Sequence, residues 1–144
     1  MRKFFISAGF SSALLLCCSC VSAHRVHSAP TVGCRAVDGY ATDLRSYVIE
    51  VTTGTDSSSA AMRSAWNVPF ISDTTRVAFV SDTTACTRAA IAHARAERQG
   101  PLNPPPVYLL AIGSTRYVAY NGARAGEFFV HYVLDAQFNV LESF

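Results

Sequence analysis

Apolar residues recur along this chain with two spacings, one close to two residues and one close to three and a half, and the two predict different elements. Tyr47–Thr53 (YVIEVTT) is dense in β-branched and aromatic residues and is closed by Gly54, which predicts a strand. Thr55, Asp56 and Ser57 are candidate caps for a helix carrying Ala60, Ala61, Met62, Ala65 and Trp66, and Asn67 and Pro69 stop it. Arg76–Val80 (RVAFV) predicts a second short strand. Ser81 or Asp82 then caps the clearest helix, Thr83 to about Arg98, which ends before Gly100-Pro101. At about 100° per residue, Cys86, Ala89, Ala90, His93 and Glu97 share one side of it, and Arg88, Arg95 and Gln99 fall opposite.

Four prolines between 101 and 106 exclude a helix or a central strand there and make a stiff connector. Beyond it, Val107–Ile112, Thr115–Tyr120, Phe128–Leu134 and Val140–Phe144 predict an antiparallel meander. Gly113-Ser114 signals a two-residue hairpin, since glycine supplies the positive φ such turns require. With that loop, one face carries Tyr108, Leu110, Ile112, Tyr117, Ala119, Phe128, Val130, Tyr132 and Leu134 and should lie under the helices. The other face carries Arg116 beside His131, flanked by Val118 and Phe129, with Tyr120 and Glu127 further along. Arg116, His131, Tyr120 and Phe129 are therefore the candidate binding residues, suited to an anionic group on a ligand. The element order predicts an α+β fold, an antiparallel C-terminal meander in one sheet packed against two helices.

The first residues change the picture of where the chain works. Arg2 and Lys3 precede an apolar stretch from Phe4 to Cys18, and Val21-Ser22-Ala23 supplies the small residues signal peptidase needs. Residues 1–23 are expected to be a signal peptide cut before His24, 24–43 an irregular arm, and 44–144 a single α+β domain. A lipid anchor at Cys20 is the less favoured reading, because Cys17 stands where a lipidation signal wants leucine. The expected location is exported, periplasmic or secreted. The leader removes the only lysine, so the net charge of +2 falls to near zero and gives no electrostatic case for nucleic acid. With half of its residues hydrophobic, the chain is not a disordered polymer.

Three of the five cysteines belong to the leader, which leaves Cys34 and Cys86, an even number in an oxidising compartment. A bridge between them closes a 52-residue loop, worth about 4 kcal/mol in the chain-entropy model. A sharper reading takes Cys86, in the first turn of a helix, as a nucleophile with His131 as its base. The disulfide explains Cys86 with less machinery. His93 and Glu97 are four apart on a helix, but a metal site needs another ligand, and no metal or other cofactor is expected. The chain shows no internal repeat, phosphate-cradling glycine loop, paired-cysteine knuckle or Gly-x-Ser-x-Gly elbow. The expectation is a non-catalytic module that binds a protein or small ligand, with a thiol hydrolase as the alternative and no transmembrane span in the mature chain.

Overall fold

The computed structural model describes residues 28–100, 102–122, 124–125 and 128–144. The expected leader, the cut before His24, Cys20 and Glu127 lie outside them. The fold is α+β: three α-helices pack against a five-stranded antiparallel sheet. In chain order the elements are α1 (Gly39–Thr53), α2 (Ser57–Trp66), a 3-10 turn (Thr74–Arg76), β1 (Val77–Phe79), α3 (Thr83–Ala96), β2 (Tyr108–Ile112) and β3 (Arg116–Tyr120). A small hairpin of β4 (Arg124–Ala125) and β5 (Phe128–Phe129) follows, then β6 (Tyr132–Asp135) and β7 (Val140–Ser143). The main sheet has the order β1-β2-β3-β6-β7.

Helix α1 replaces the strand expected over Tyr47–Thr53 and begins inside the expected arm. Asp38 caps it by accepting from the Ala41 amide at 3.0 Å. Ala41, Leu44, Val48 and Val51 are then buried at helical spacing. The β-branched content that suggested a strand is accommodated because the hydroxyls bond within the helix. Thr52 Oγ1 donates to the Val48 carbonyl and Thr53 Oγ1 to that of Ile49, each at 2.7 Å. Arg63 of α2 donates to the Val51 and Gly54 carbonyls at 2.7 and 2.6 Å, which satisfies the end of α1.

Helices α2 and α3 form where expected. Asp56 and Asp82 cap them, accepting from the amides of Ser59 and Ala85. The buried side of α3 is Cys86, Ala89, Ala90, His93 and Ala94, close to the expected face.

The helices cover both sides of the sheet. Tyr108, Leu110, Ile112, Val118, Tyr120 and Val133 form one core with Leu44, Val48 and Val51 of α1 and Trp66 of α2. Val107, Leu109, Ala119, Tyr132 and Leu134 form the other with Cys86, Ala89 and Ala90 of α3. The expected split into one packed and one open face is corrected, because α1 and α2 cover one side and α3 the other, and the register differs as well. Ile112 pairs with Arg116, so the β2–β3 loop is Gly113–Thr115, three residues rather than two. Gly113 has φ +61 and its amide donates to the Arg76 carbonyl at 2.8 Å, so the loop is tied to the 3-10 turn that leads into β1. That one extra residue moves Tyr117 and Ala119 to the α3 side and Val118 and Tyr120 to the α1 side.

Candidate functional site

Of the four binding residues expected, the structure gathers three. Tyr120, Phe129 and His131 meet Tyr40 of α1 in an aromatic corner, with ring centroids 4.9, 5.0 and 6.1 Å from that of Tyr40. Tyr108 and Phe144 extend it, 6.0 Å from Tyr120 and 4.8 Å from His131. Arg116 stands elsewhere. It pairs with Asp135, four residues from His131 along β6, or roughly 13 Å at strand rise. The expected neighbourhood of Arg116 and His131 is thus corrected: they share a face but lie at opposite ends of it. The cause is the β4–β5 excursion, which shifts the β3–β6 register from Tyr117 beside Val130 to Tyr117 beside Leu134. Arg116 Nε donates to the Asn67 carbonyl at 2.8 Å, holding the end of α2 to the sheet.

His131 is 9% exposed, and burial pushes its pKa down. Its Nδ1 lies 3.2 Å from the Phe144 carbonyl, which can only accept, so the proton sits on Nδ1. Its Nε2 then accepts from the Tyr40 hydroxyl at 2.6 Å. Burial pushes the Tyr40 pKa up to about 12, helped by Tyr120 and Tyr108, which keeps that donor protonated. On the other side of the corner, the Tyr108 hydroxyl donates to Asp38, which holds that carboxyl below its usual range. The Arg35 guanidinium lies 4.9 Å from the Tyr108 ring centre and donates to the Asn121 carbonyl at 2.6 Å. Tyr108 and Tyr120 are 3% and 1% exposed. The corner is a closed joint between α1 and the sheet, offering solvent the partly buried Tyr40, Phe129 and Phe144 beside the exposed Arg35 and Asp38.

Cys34 and Cys86 form a disulfide, with Cα atoms 5.1 Å apart. The arm is also tied by Val32, whose amide and carbonyl both bond Thr87 Oγ1, at 2.9 and 3.0 Å, and by the Arg35 amide, which donates to the Val107 carbonyl at 2.8 Å. Cys86 is fully buried on the α3 side of the sheet. His131 is tied to α1 on the other side, so the structure does not bring the alternative catalytic pair together. His93 is 2% exposed, and neither ring nitrogen has a partner among the described residues. Its ring meets Tyr132 edge-on at 4.9 Å, and Glu97 accepts from the Tyr132 hydroxyl rather than from His93. Burial lowers the His93 pKa against the opposing pull of Glu97. Among the described residues no group of three His, Cys, Asp or Glu side chains is arranged to hold a metal ion.

An open concavity lies between α3 and the start of β7, where the sequence offered only the exposed arginines of α3 as a signal. Ala92, Arg95, Ala96, Phe138, Asn139 and Val140 line a shallow groove of about 420 Å³. Its far end continues past Ile91 and Gln137 to Arg88, whose guanidinium stacks 4.6 Å from the Phe138 ring and donates to the Gln137 carbonyl at 3.0 Å. Among the described residues no helix is long and apolar enough to cross a membrane. No family model, curated protein or solved structure matches the chain.

Proposed function

We propose that the chain is an exported, non-catalytic binding module that receives its partner in the groove between α3 and β7. The groove itself carries this reading: an apolar floor of Ala92, Ala96 and Phe138 runs beside the outermost strand of the sheet. Polar main chain at a sheet edge next to apolar side chains is a surface that pairs with extended ligands. The leader-like residues 1–23 and the Cys34–Cys86 bridge support export, because disulfides persist in oxidising compartments. A thiol hydrolase would need a free Cys86 next to His131; the bridge and the intervening sheet stand against it.

The test is an amide chemical-shift titration of the disulfide-bonded chain with a blocked, uncharged pentapeptide, Gln-Thr-Val-Thr-Gln. Saturable shifts confined to β7 and the C-terminal half of α3 are expected. No shifts at millimolar peptide, or shifts centred on another surface, would refute the groove as the binding site.

A further inference from the structure

The two outer strands of the sheet differ in what their edges can accept. At β1, Arg45 Nε donates to the Val77 carbonyl at 2.7 Å, so α1 already occupies that three-residue edge. At β7, Phe144 and His131 exchange both main-chain bonds, at 3.0 and 2.9 Å. The pairing of Ser143 with Tyr132 is therefore the wide kind, and the Ser143 amide and carbonyl face away from β6. Among the described residues the Ser143 amide finds only its neighbour's carboxylate, Glu142 Oε1, at 3.2 Å. The edge beside the groove is the one left open to a new strand.

The charges along the groove have one sign. Arg95 is exposed, and its guanidinium has no hydrogen bond or ion pair among the described residues. Arg88 adds a second positive group at the far end, and the groove lining contains no acid. The acids nearby are already engaged. Glu97 accepts from Tyr132, and Asp135 accepts from the amides of Gln137 and Asn139 and the Asn139 side chain at 2.8, 2.8 and 2.9 Å. Glu142 pairs with Val133 and so belongs to the opposite face of the sheet. A strand added at β7 would thus meet arginine on its α3 side and a carboxylate on its other side.

Building on the groove reading, we infer that the partner is an extended acidic peptide segment that adds beside β7. Its α3-facing positions alternate with neutral ones: an apolar side chain settles between Ala92, Ala96 and Phe138, and a carboxylate two residues away meets Arg95. The intervening side chains face Glu142 and are uncharged or basic. Strand alternation makes this pattern directional, since acid at the intervening positions would be repelled.

The experiment compares blocked Glu-Thr-Val-Thr-Glu, Gln-Thr-Val-Thr-Gln and Lys-Thr-Val-Thr-Lys on the disulfide-bonded chain by the same amide titration. The glutamate peptide is expected to bind about two- to fivefold more tightly than the glutamine peptide, the gain of an exposed ion pair, with the lysine peptide weakest. The advantage should shrink as salt is raised. Arg95→Glu removes no internal bond and should reverse the order of the glutamate and lysine peptides. Equal affinity of all three peptides for the groove would overturn the acidic partner while leaving the binding module intact. Binding by none of them would overturn both. Concentration-dependent self-association through β7, seen by sedimentation without peptide, would identify a second copy as the occupant and overturn the peptide assignment.

Discussion

The two faces of the sheet are held by different physics. On the α1 and α2 side, large side chains interdigitate: Leu44, Val48 and Val51 meet Leu110, Val118 and Val133, and Trp66 stacks on Phe144 at 4.0 Å. Hydrogen bonds from Tyr40 to His131 and from Tyr108 to Asp38 fix the helix orientation. On the α3 side the helix presents Ala89 and Ala90, which allow close approach but bury little apolar area each. That face is closed by a covalent bond, Cys34–Cys86. Where side chains are large the packing fixes the geometry; where they are small a cross-link holds it. Two further alanines of α3, Ala92 and Ala96, line the shallow groove that carries the proposed binding.

If the α3 face depends on its clamp, Cys34→Ser or Cys86→Ser should lower stability by about 2–5 kcal/mol, read as a drop in the denaturant midpoint. Equal midpoints for variant and parent would remove the clamp from the comparison. The opposite face should respond to truncation instead. Leu110 is fully buried, and Leu110→Ala should cost about 2–5 kcal/mol through lost burial and a cavity. The alanine seam should respond to added volume. Ala90 is also fully buried, and Ala90→Leu should cost about 1–3 kcal/mol; a neutral result would mean the seam is loose. A loss of similar size, about 1–3 kcal/mol, is expected for Tyr40→Phe, which strips His131 Nε2 of its donor.

The smallest expected effect is a pH dependence shared by both faces. Burial lowers the pKa of His93 on one side and of His131 on the other. The unfolded chain therefore takes up protons near 6.5 while the folded chain does not, so stability falls as pH drops below 6.5, through the window down to the folded values. Glu97, Tyr132 and His131 act on His93, with Glu97 opposing the shift. The depressed aspartates Asp38, Asp56, Asp73 and Asp135 act in a separate window. Their contribution is present above 3.8 and is lost as pH falls through their lower folded values. Urea midpoints at pH 7.5 and 5.5 should differ, and His93→Phe should reduce the difference. An unchanged difference would place the effect in His131 alone.

What could be read from the sequence follows from how local each signal is. Helix α3 was legible because its cap, Asp82, its alanine spacing and its glycine-proline stop all lie within its own segment. Helix α1 was not, because β-branched density in Tyr47–Thr53 outweighed the Asp38 cap and the Ala41–Leu44–Val48–Val51 spacing upstream. Thr52 and Thr53 tolerate the helix by bonding carbonyls one turn back, a compensation that composition does not display. The register failed where a distant group intervened: the Arg76 carbonyl takes the Gly113 amide and the loop gains a residue. Tyr120 and His131 still share a face, because the β3–β6 shift of four residues preserved parity, and Phe129 of the β4–β5 hairpin meets Tyr120, while Arg116 was carried away. The groove was illegible because it forms between two elements far apart in sequence.

The most direct measurement of the clamp and of the non-catalytic reading is made on chain purified from an oxidising compartment, by intact mass and thiol alkylation before and after reduction. The expected result is a gain of about two mass units on reduction, one hydrogen per sulfur, with Cys34 and Cys86 inert to iodoacetamide until then. An unchanged mass together with rapid alkylation of Cys86 in the native, unreduced protein would contradict it and make Cys86 the free, activated thiol that a hydrolase requires.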